Sequence, residues 1–225
     1  MPENAPIPAV HLAENSPAVK RSSATGRAYP LGEPDRPARA AGTTEELAKI
    51  VRYLDVEENA RYARTPTSTF CNVYACDYCY LAGAYLPRVW WTAQALAGIA
   101  AGRAVPVKYG ETVAELAANA LHVWLRDFGA SFGWSPAASL DELQAAANQG
   151  KVAVICAQRK LLNRPGHITV VVPESAPPLV AERDGTEIRL PLQSQAGARN
   201  FCFSCGRSKW WESAQFQAFG FWVHA

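Results

Sequence analysis

Thr67-Ser68-Thr69-Phe70-Cys71-Asn72-Val73-Tyr74-Ala75-Cys76-Asp77-Tyr78-Cys79 is the stretch on which the reading of this chain turns. Three hydroxyl residues precede a cysteine, and an aromatic run follows it. Ser and Thr oxygens accept the unpaired amide hydrogens of a helix's first turn. A helix starting at Ser68 or Thr69 therefore places Cys71 in its first turn and runs to about Ala84, ending near Gly83. There the positive end of the helix dipole lowers a thiol's pKa and favours the nucleophilic thiolate.

A nucleophilic cysteine needs a histidine to hold and shuttle its proton, and usually a third group to orient that imidazole. His11 lies in a proline-rich leader, His122 within a helical pattern, and His224 is penultimate. His167 differs: it follows Pro165-Gly166 and opens a β-branched run, Ile168-Thr169-Val170-Val171-Val172, that stops at Pro173. A glycine there allows close approach by another element, such as the cysteine-bearing helix.

Around these two residues the chain reads as helices first and strands afterwards. Thr43 with Glu46 fits a capping box, and Leu47, Ile50, Val51 and Leu54 follow at helical spacing. Tyr85 to Trp91 is a bend around Pro87, Thr92 caps a helix through Ile99, and Val113–Phe128 and Ser139–Asn148 are further helices. Strands are expected over 151–157, 167–172, 187–192 (with Pro191 at an edge or end), 201–203 and 219–223. This order predicts an α+β fold, with N-terminal helices packed on an antiparallel sheet. Residues 1–41, rich in Pro and Ala with no hydrophobic period, read as a flexible leader, and 42–225 as a single domain.

Composition removes several classes of function. Twenty-two basic against twenty acidic residues, a net charge of +2, make no nucleic-acid footprint. No apolar run approaches the about 18 residues of a membrane span, so no membrane insertion is expected. Met1–Ser23 has no apolar core of an ordinary secretory signal.

Helix-borne Cys71, further helices, then a sheet entered by His167 is the layout of papain-like cysteine peptidases, and it resembles their NlpC/P60 and CHAP branches. The matching pieces are Thr69-Phe70-Cys71-Asn72, Gly150-Lys151-Val152-Ala153-Val154 and Gly166-His167-Ile168-Thr169-Val170-Val171, within roughly residues 60–200. Phe70-Cys71-Asn72 departs from the Asp-Cys-Ser usual around an NlpC/P60 nucleophile. The resemblance implies a thiol hydrolase without a cofactor that cleaves stem or cross-bridge peptides of bacterial peptidoglycan, or the amide joining stem to glycan. It also implies a polar third residue after the next strand. Gln193 and Gln195 share one face there and Gln193 is favoured; Glu174 falls at an odd offset that faces away. Tyr62 resembles a tyrosine that some relatives place near the oxyanion, and Asn72 lies beside the nucleophile. A leader before a small amidase domain is similar to effectors of type VI secretion. That likeness implies export without a signal peptide, action in a target cell's periplasm, a secretion-apparatus carrier and a cognate immunity protein; phage lysis enzymes are another source.

Cys76-Asp77-Tyr78-Cys79 and Cys202-Phe203-Ser204-Cys205 are two C-x-x-C pairs, open to structural zinc, disulfides or reduced packing cysteines. Trp90-Trp91 and Trp210-Trp211 either stack on sugar faces along a substrate groove or place one ring of each pair in the core. Two other functions stay open: a zinc- or disulfide-stapled glycan-binding module without catalysis, and a deamidase or transglutaminase-like enzyme acting on protein.

Overall fold

The computed structural model describes residues 10–12, 42–176 and 178–225. These fall into two compact units: Pro87–Leu116 with the described part of Met1–Glu33, and Pro34–Leu86 with Ala117–Ala225. In chain order the helices are α1 (Thr44–Leu54), α2 (Cys71–Leu81), α3 (Ala93–Ala100), α4 (Ala118–Asp127) and α5 (Leu140–Asn148). The strands are β1 (Val89–Trp91), β2 (Val113–Glu115), β3 (Trp134–Pro136), β4 (Val152–Arg159) and β5 (His167–Val171), then β6 (Glu182–Asp184), β7 (Glu187–Leu190), β8 (Gln193–Gln195), β9 (Phe201–Ser204) and β10 (Phe216–His224).

The smaller unit holds β1, α3 and β2. β1 and β2 pair antiparallel, with Trp91 opposite Val113. This pairing corrects two expectations: Trp90-Trp91 is strand rather than bend, and residues 113–115 are strand rather than the start of a helix. Ala117, extended at φ −76° and ψ 167°, separates β2 from α4. Thr92 caps α3 as expected, accepting from Ala95 N at 3.3 Å. Both tryptophans are buried, and Trp91 Nε1 donates to the carbonyl of Val10 at 2.8 Å. Val10 and Leu12 are themselves buried, so this short part of the leader is packed; the rest of the 1–41 leader lies outside the described residues.

The larger unit is α+β. Its antiparallel six-stranded sheet has the order β3-β10-β4-β5-β8-β9. Val152 to Ala157 of β4 are all buried, which is why the segment reads as a continuous apolar run: an interior strand covered on both faces needs no alternation. Different elements cover the two faces. On one face the Cys156 thiol donates to Ala118 O of α4, and His122 packs edge-on against Trp222. α2 joins α4 there through Tyr74, whose hydroxyl hydrogen-bonds Ser194 of β8. On the other face Leu140, Leu143 and Ala147 of α5 pack with Ala153, Ile155 and Ala157 of β4, Leu190 of β7, and Trp211. β6 and β7 form a separate two-stranded ribbon that stops before Pro191.

The capping signals hold at α1 and α5. Glu46 N donates to Thr43 Oγ1 at 3.2 Å, and Glu142 N to Ser139 Oγ at 3.1 Å. They do not hold at α2, which begins at Cys71 itself with Phe70 as its cap and no side-chain cap hydrogen bond. Ser68 is used otherwise: its amide donates to Thr65 Oγ1 at 3.0 Å, and its carbonyl accepts from Thr65 N at 2.9 Å. A small turn has taken the hydroxyl residue that was expected to cap the helix.

Candidate active site

Cys71 is the first residue of α2 and is 4% exposed. His167 is the first residue of β5 and half-buried. The two side chains lie close enough that each shifts the other's titration, through hydrogen-bonding and charge. Burial pushes the Cys71 thiol up, but the hydrogen bond and charge of His167, with the backbone amides of Ile168 and Asn72, outweigh it and hold the pKa below the ordinary value. Burial lowers His167, yet the hydrogen bond and charge of Cys71 and the hydrogen bond of Gln195 raise it above its ordinary value. The two shifts run toward a thiolate–imidazolium pair.

Gln195 is the third member, in place of the favoured Gln193. Gln195 Oε1 lies 2.6 Å from His167 Nε2. Its amide nitrogen donates to Arg199 O at 3.0 Å, which leaves the oxygen turned toward the ring and makes Nε2–H the donor. Nδ1 is then the nitrogen that serves the thiol. Gln193 instead supports the site from below, fully buried. Its Oε1 accepts from Thr169 Oγ1 and from Trp210 Nε1, both at 3.0 Å.

Strand register explains the exchange. Val171 pairs with Gln193 and Val170 with Ser194, so the register carried on sets Thr169 across from Gln195 and His167 across from Gly197. The observed bonds, Thr169 to Gln193 and His167 to Gln195, are the two parallel diagonals of that ladder, within reach of long side chains. Gly197 leaves the room: a Cβ there would sit 3.1 Å from His167 Cε1 and 3.2 Å from Gln195 Nε2. Gly166 permits a different approach from the one expected. A Cβ would lie 2.5 Å from Ala157 O and 2.5 Å from Asn119 Oδ1, so the glycine seats α4 and β4, not the cysteine helix.

The remaining candidates are placed elsewhere. Tyr62 is fully buried, and its hydroxyl donates to Asp77 Oδ2 at 2.9 Å; Arg61 grips the same carboxylate at 2.6 and 3.0 Å. Burial and the Asp77 charge push the Tyr62 phenol far up, so its oxyanion role is withdrawn: it fastens the 55–66 connector to α2. Asn72 contributes its backbone amide, which donates to the Cys71 sulfur. Trp90 and Trp91 are buried in the smaller unit and offer no exposed face for a sugar. Glu174 binds Arg183, Asn148 and the amide of Ala181 rather than His167; the Arg183 hydrogen bond draws its pKa down to about 2.

The C-x-x-C cysteines do not converge. All six cysteines are free thiols, and among the described residues no three metal-ligating side chains cluster. Cys205 donates to Val180 O at 3.2 Å, while burial raises Cys202 beside Val56 and Glu57. Of the weak zinc candidates, Cys76 and Cys79 lie within α2, Cys202 in β9 and Cys205 just after it.

His167, Gln193, Gln195 and Thr69 line a cleft of about 860 Å³. Trp210 forms part of its wall, edge-on to the His167 ring at 4.6 Å between centroids, and Trp211 behind it is buried. The second tandem pair therefore divides into one core ring and one cleft ring. Sequence reasoning missed Trp210 as a neighbour of the histidine, because only the fold brings the turn after β9 back to β5. No protein-family model matches the chain, and a search of curated proteins finds no significant match.

Proposed function

We propose that this protein is a cysteine-dependent hydrolase of amide bonds, with peptides of bacterial peptidoglycan as its substrate. One observation carries the reading: Cys71 at the start of α2 meets His167, which is hydrogen-bonded to Gln195, with the thiol drawn down and the imidazole drawn up. A buried cysteine that only packs has no use for either shift. Cys156 is the contrast, a buried thiol raised well above its ordinary value by burial.

The steps follow from these roles. The Cys71 thiolate attacks the amide carbonyl, and the Cys71 backbone amide, at the positive end of α2, stabilises the oxyanion. The imidazolium of His167 gives its proton to the leaving amine, which departs and leaves a thioester. His167 then takes a proton from water as it attacks the thioester, releasing the acid and restoring the thiolate–imidazolium pair. Gln195 holds the ring in the tautomer that presents Nδ1 to sulfur, without adding charge.

The peptidoglycan substrate, delivery as an antibacterial effector and the accompanying immunity protein belong to the same proposal and rest on the sequence resemblance. The glycan-binding alternative loses Trp90 and Trp91, which are buried, and keeps Trp210 in the cleft wall. The test is to digest purified peptidoglycan and follow new amine ends by mass spectrometry, with Cys71→Ala and His167→Ala as controls. New amines are expected from the parent protein, and from neither variant. No new amines from the parent, or full activity in either variant, would overturn the reading.

A further inference from the structure

The cleft beside His167 is charged in a way that the nearly neutral chain is not. Arg159, Arg199 and Arg207 line it, against the single carboxylate of Glu57. Arg159 is held in place: its Nε donates to Pro165 O at 2.9 Å, it hydrogen-bonds Gln215, and its guanidinium lies 5.1 Å over the Phe216 ring. Arg199 and Arg207 are different. Both are exposed, and among the described residues neither guanidinium has a hydrogen bond, a carboxylate or a ring partner. Glu57 does not neutralise them; it interacts with the Cys202 thiol. Phe201, Phe203, Phe216 and Trp210 are also in the lining, and apolar walls strengthen any charge recognised between them.

Arg199 is also tied to the catalytic line, because its carbonyl accepts from the Gln195 amide. Its side chain lines the same cleft as Gln195 and His167. Guanidinium forks match carboxylates two bonds at a time. Resting on the hydrolase reading above, we propose that Arg199 and Arg207 are the specificity determinants of this cleft: they select peptides that carry free carboxylates beside the scissile amide and discriminate against the same peptides in carboxamide form.

The experiment measures binding apart from turnover. Full-length Cys71→Ala protein is titrated with a glutamate-containing stem-type peptide bearing free carboxylates, and with the same peptide as its carboxamides. Calorimetry and tryptophan fluorescence report binding, at low and high salt. The acidic form is expected to bind about tenfold or more tightly than the amide, the size of one hydrogen bond to a charged group, with the gap narrowing in salt. In the Arg199→Gln/Arg207→Gln background, whose melting temperature is checked alongside, the gap should collapse by loss of the acidic form's advantage. Equal binding of both peptides, a gap that survives the double substitution, or binding of neither peptide would overturn the proposal. Selective binding without cleavage by the protein with Cys71 intact would spare this inference and sink the hydrolase reading. Equal cleavage of both peptides would do the reverse.

Discussion

Cys71 and Asp77 lie on the same buried helix, α2, and their surroundings handle charge in opposite ways. Asp77 is enclosed by Arg61, which reaches both carboxylate oxygens, and by the Tyr62 hydroxyl. Its carboxylate is matched by a full opposite charge and serves to hold the connector against the helix. Cys71 meets a titrating partner instead, and behind that partner stands a neutral amide. A carboxylate in the place of Gln195 would fasten the imidazolium as Arg61 fastens Asp77. A glutamine orients the ring and leaves its proton free to move. One helix thus joins a closed charge pair that stabilises to an open one that can react.

The sharpest way to break this contrast is to exchange the expected losses. Cys71→Ala should remove amide hydrolysis, a drop of more than about a thousandfold for a nucleophile, while thermal melting stays near the parent. Asp77→Ala should do the opposite: it strands the half-buried Arg61 and should cost on the order of 3–5 kcal/mol in denaturant unfolding. Chemistry should survive in whatever fraction stays folded. If Asp77→Ala melts like the parent, the closed pair is not the fastening described.

Gln195 and Gln193 divide in the same manner on a smaller scale. Gln195→Ala should reduce kcat/KM about tenfold to a hundredfold, the value of a hydrogen bond to a charged group, and should reshape the pH profile. Activity needs thiolate and imidazolium together, so it rises as pH climbs through the lowered Cys71 pKa and falls above the raised His167 pKa. Removing the Gln195 bond takes away one cause of the raised His167 value, so the alkaline limb must move to lower pH. Gln193→Leu should leave that limb in place and destabilise the fold by about 1–3 kcal/mol, because Thr169 and Trp210 lose their buried acceptor. A shifted limb in Gln193→Leu with none in Gln195→Ala would reverse the assignment of the two glutamines.

The smallest effect is expected at Glu174, a charge pair at the surface. Its folded pKa of about 2 lies below the ordinary unfolded value near about 4.3. The pair therefore contributes stability above that unfolded value, and the contribution fades as pH falls through the folded one. Glu174→Gln should flatten the acid loss of stability between about pH 4 and 2 relative to the parent, as followed by circular dichroism. An unchanged acid profile would show that Arg183 contributes nothing there.

Much of the site was legible because its signals are local. His167 at a strand start follows from its glycine and β-branched run, and Cys71 at a helix start was placed within a residue or two although the hydroxyl residues before it do not cap the helix. The α+β order followed from the change of hydrophobic period near residue 150. Where the reading failed, the deciding contact was distant in sequence. Val113 begins a strand because Trp91 is there to pair with it. Tyr62 was assigned to the oxyanion because its partner Asp77 lies in the middle of a helix that reads as apolar and aromatic.

By itself, then, the sequence singled out the candidate residues: a thiol at a helix N-terminus, an imidazole at the mouth of a strand, and two glutamines on one face of the next. Alternation along a strand makes Gln193 and Gln195 equivalent, since both point to the same side. Only the tertiary structure chose between them, through the register of β8 on β5, which sets His167 diagonal to Gln195 and gives Gln193 to Thr169 and Trp210. Register depends on how whole strands settle against the core, and no residue of the pair encodes that locally.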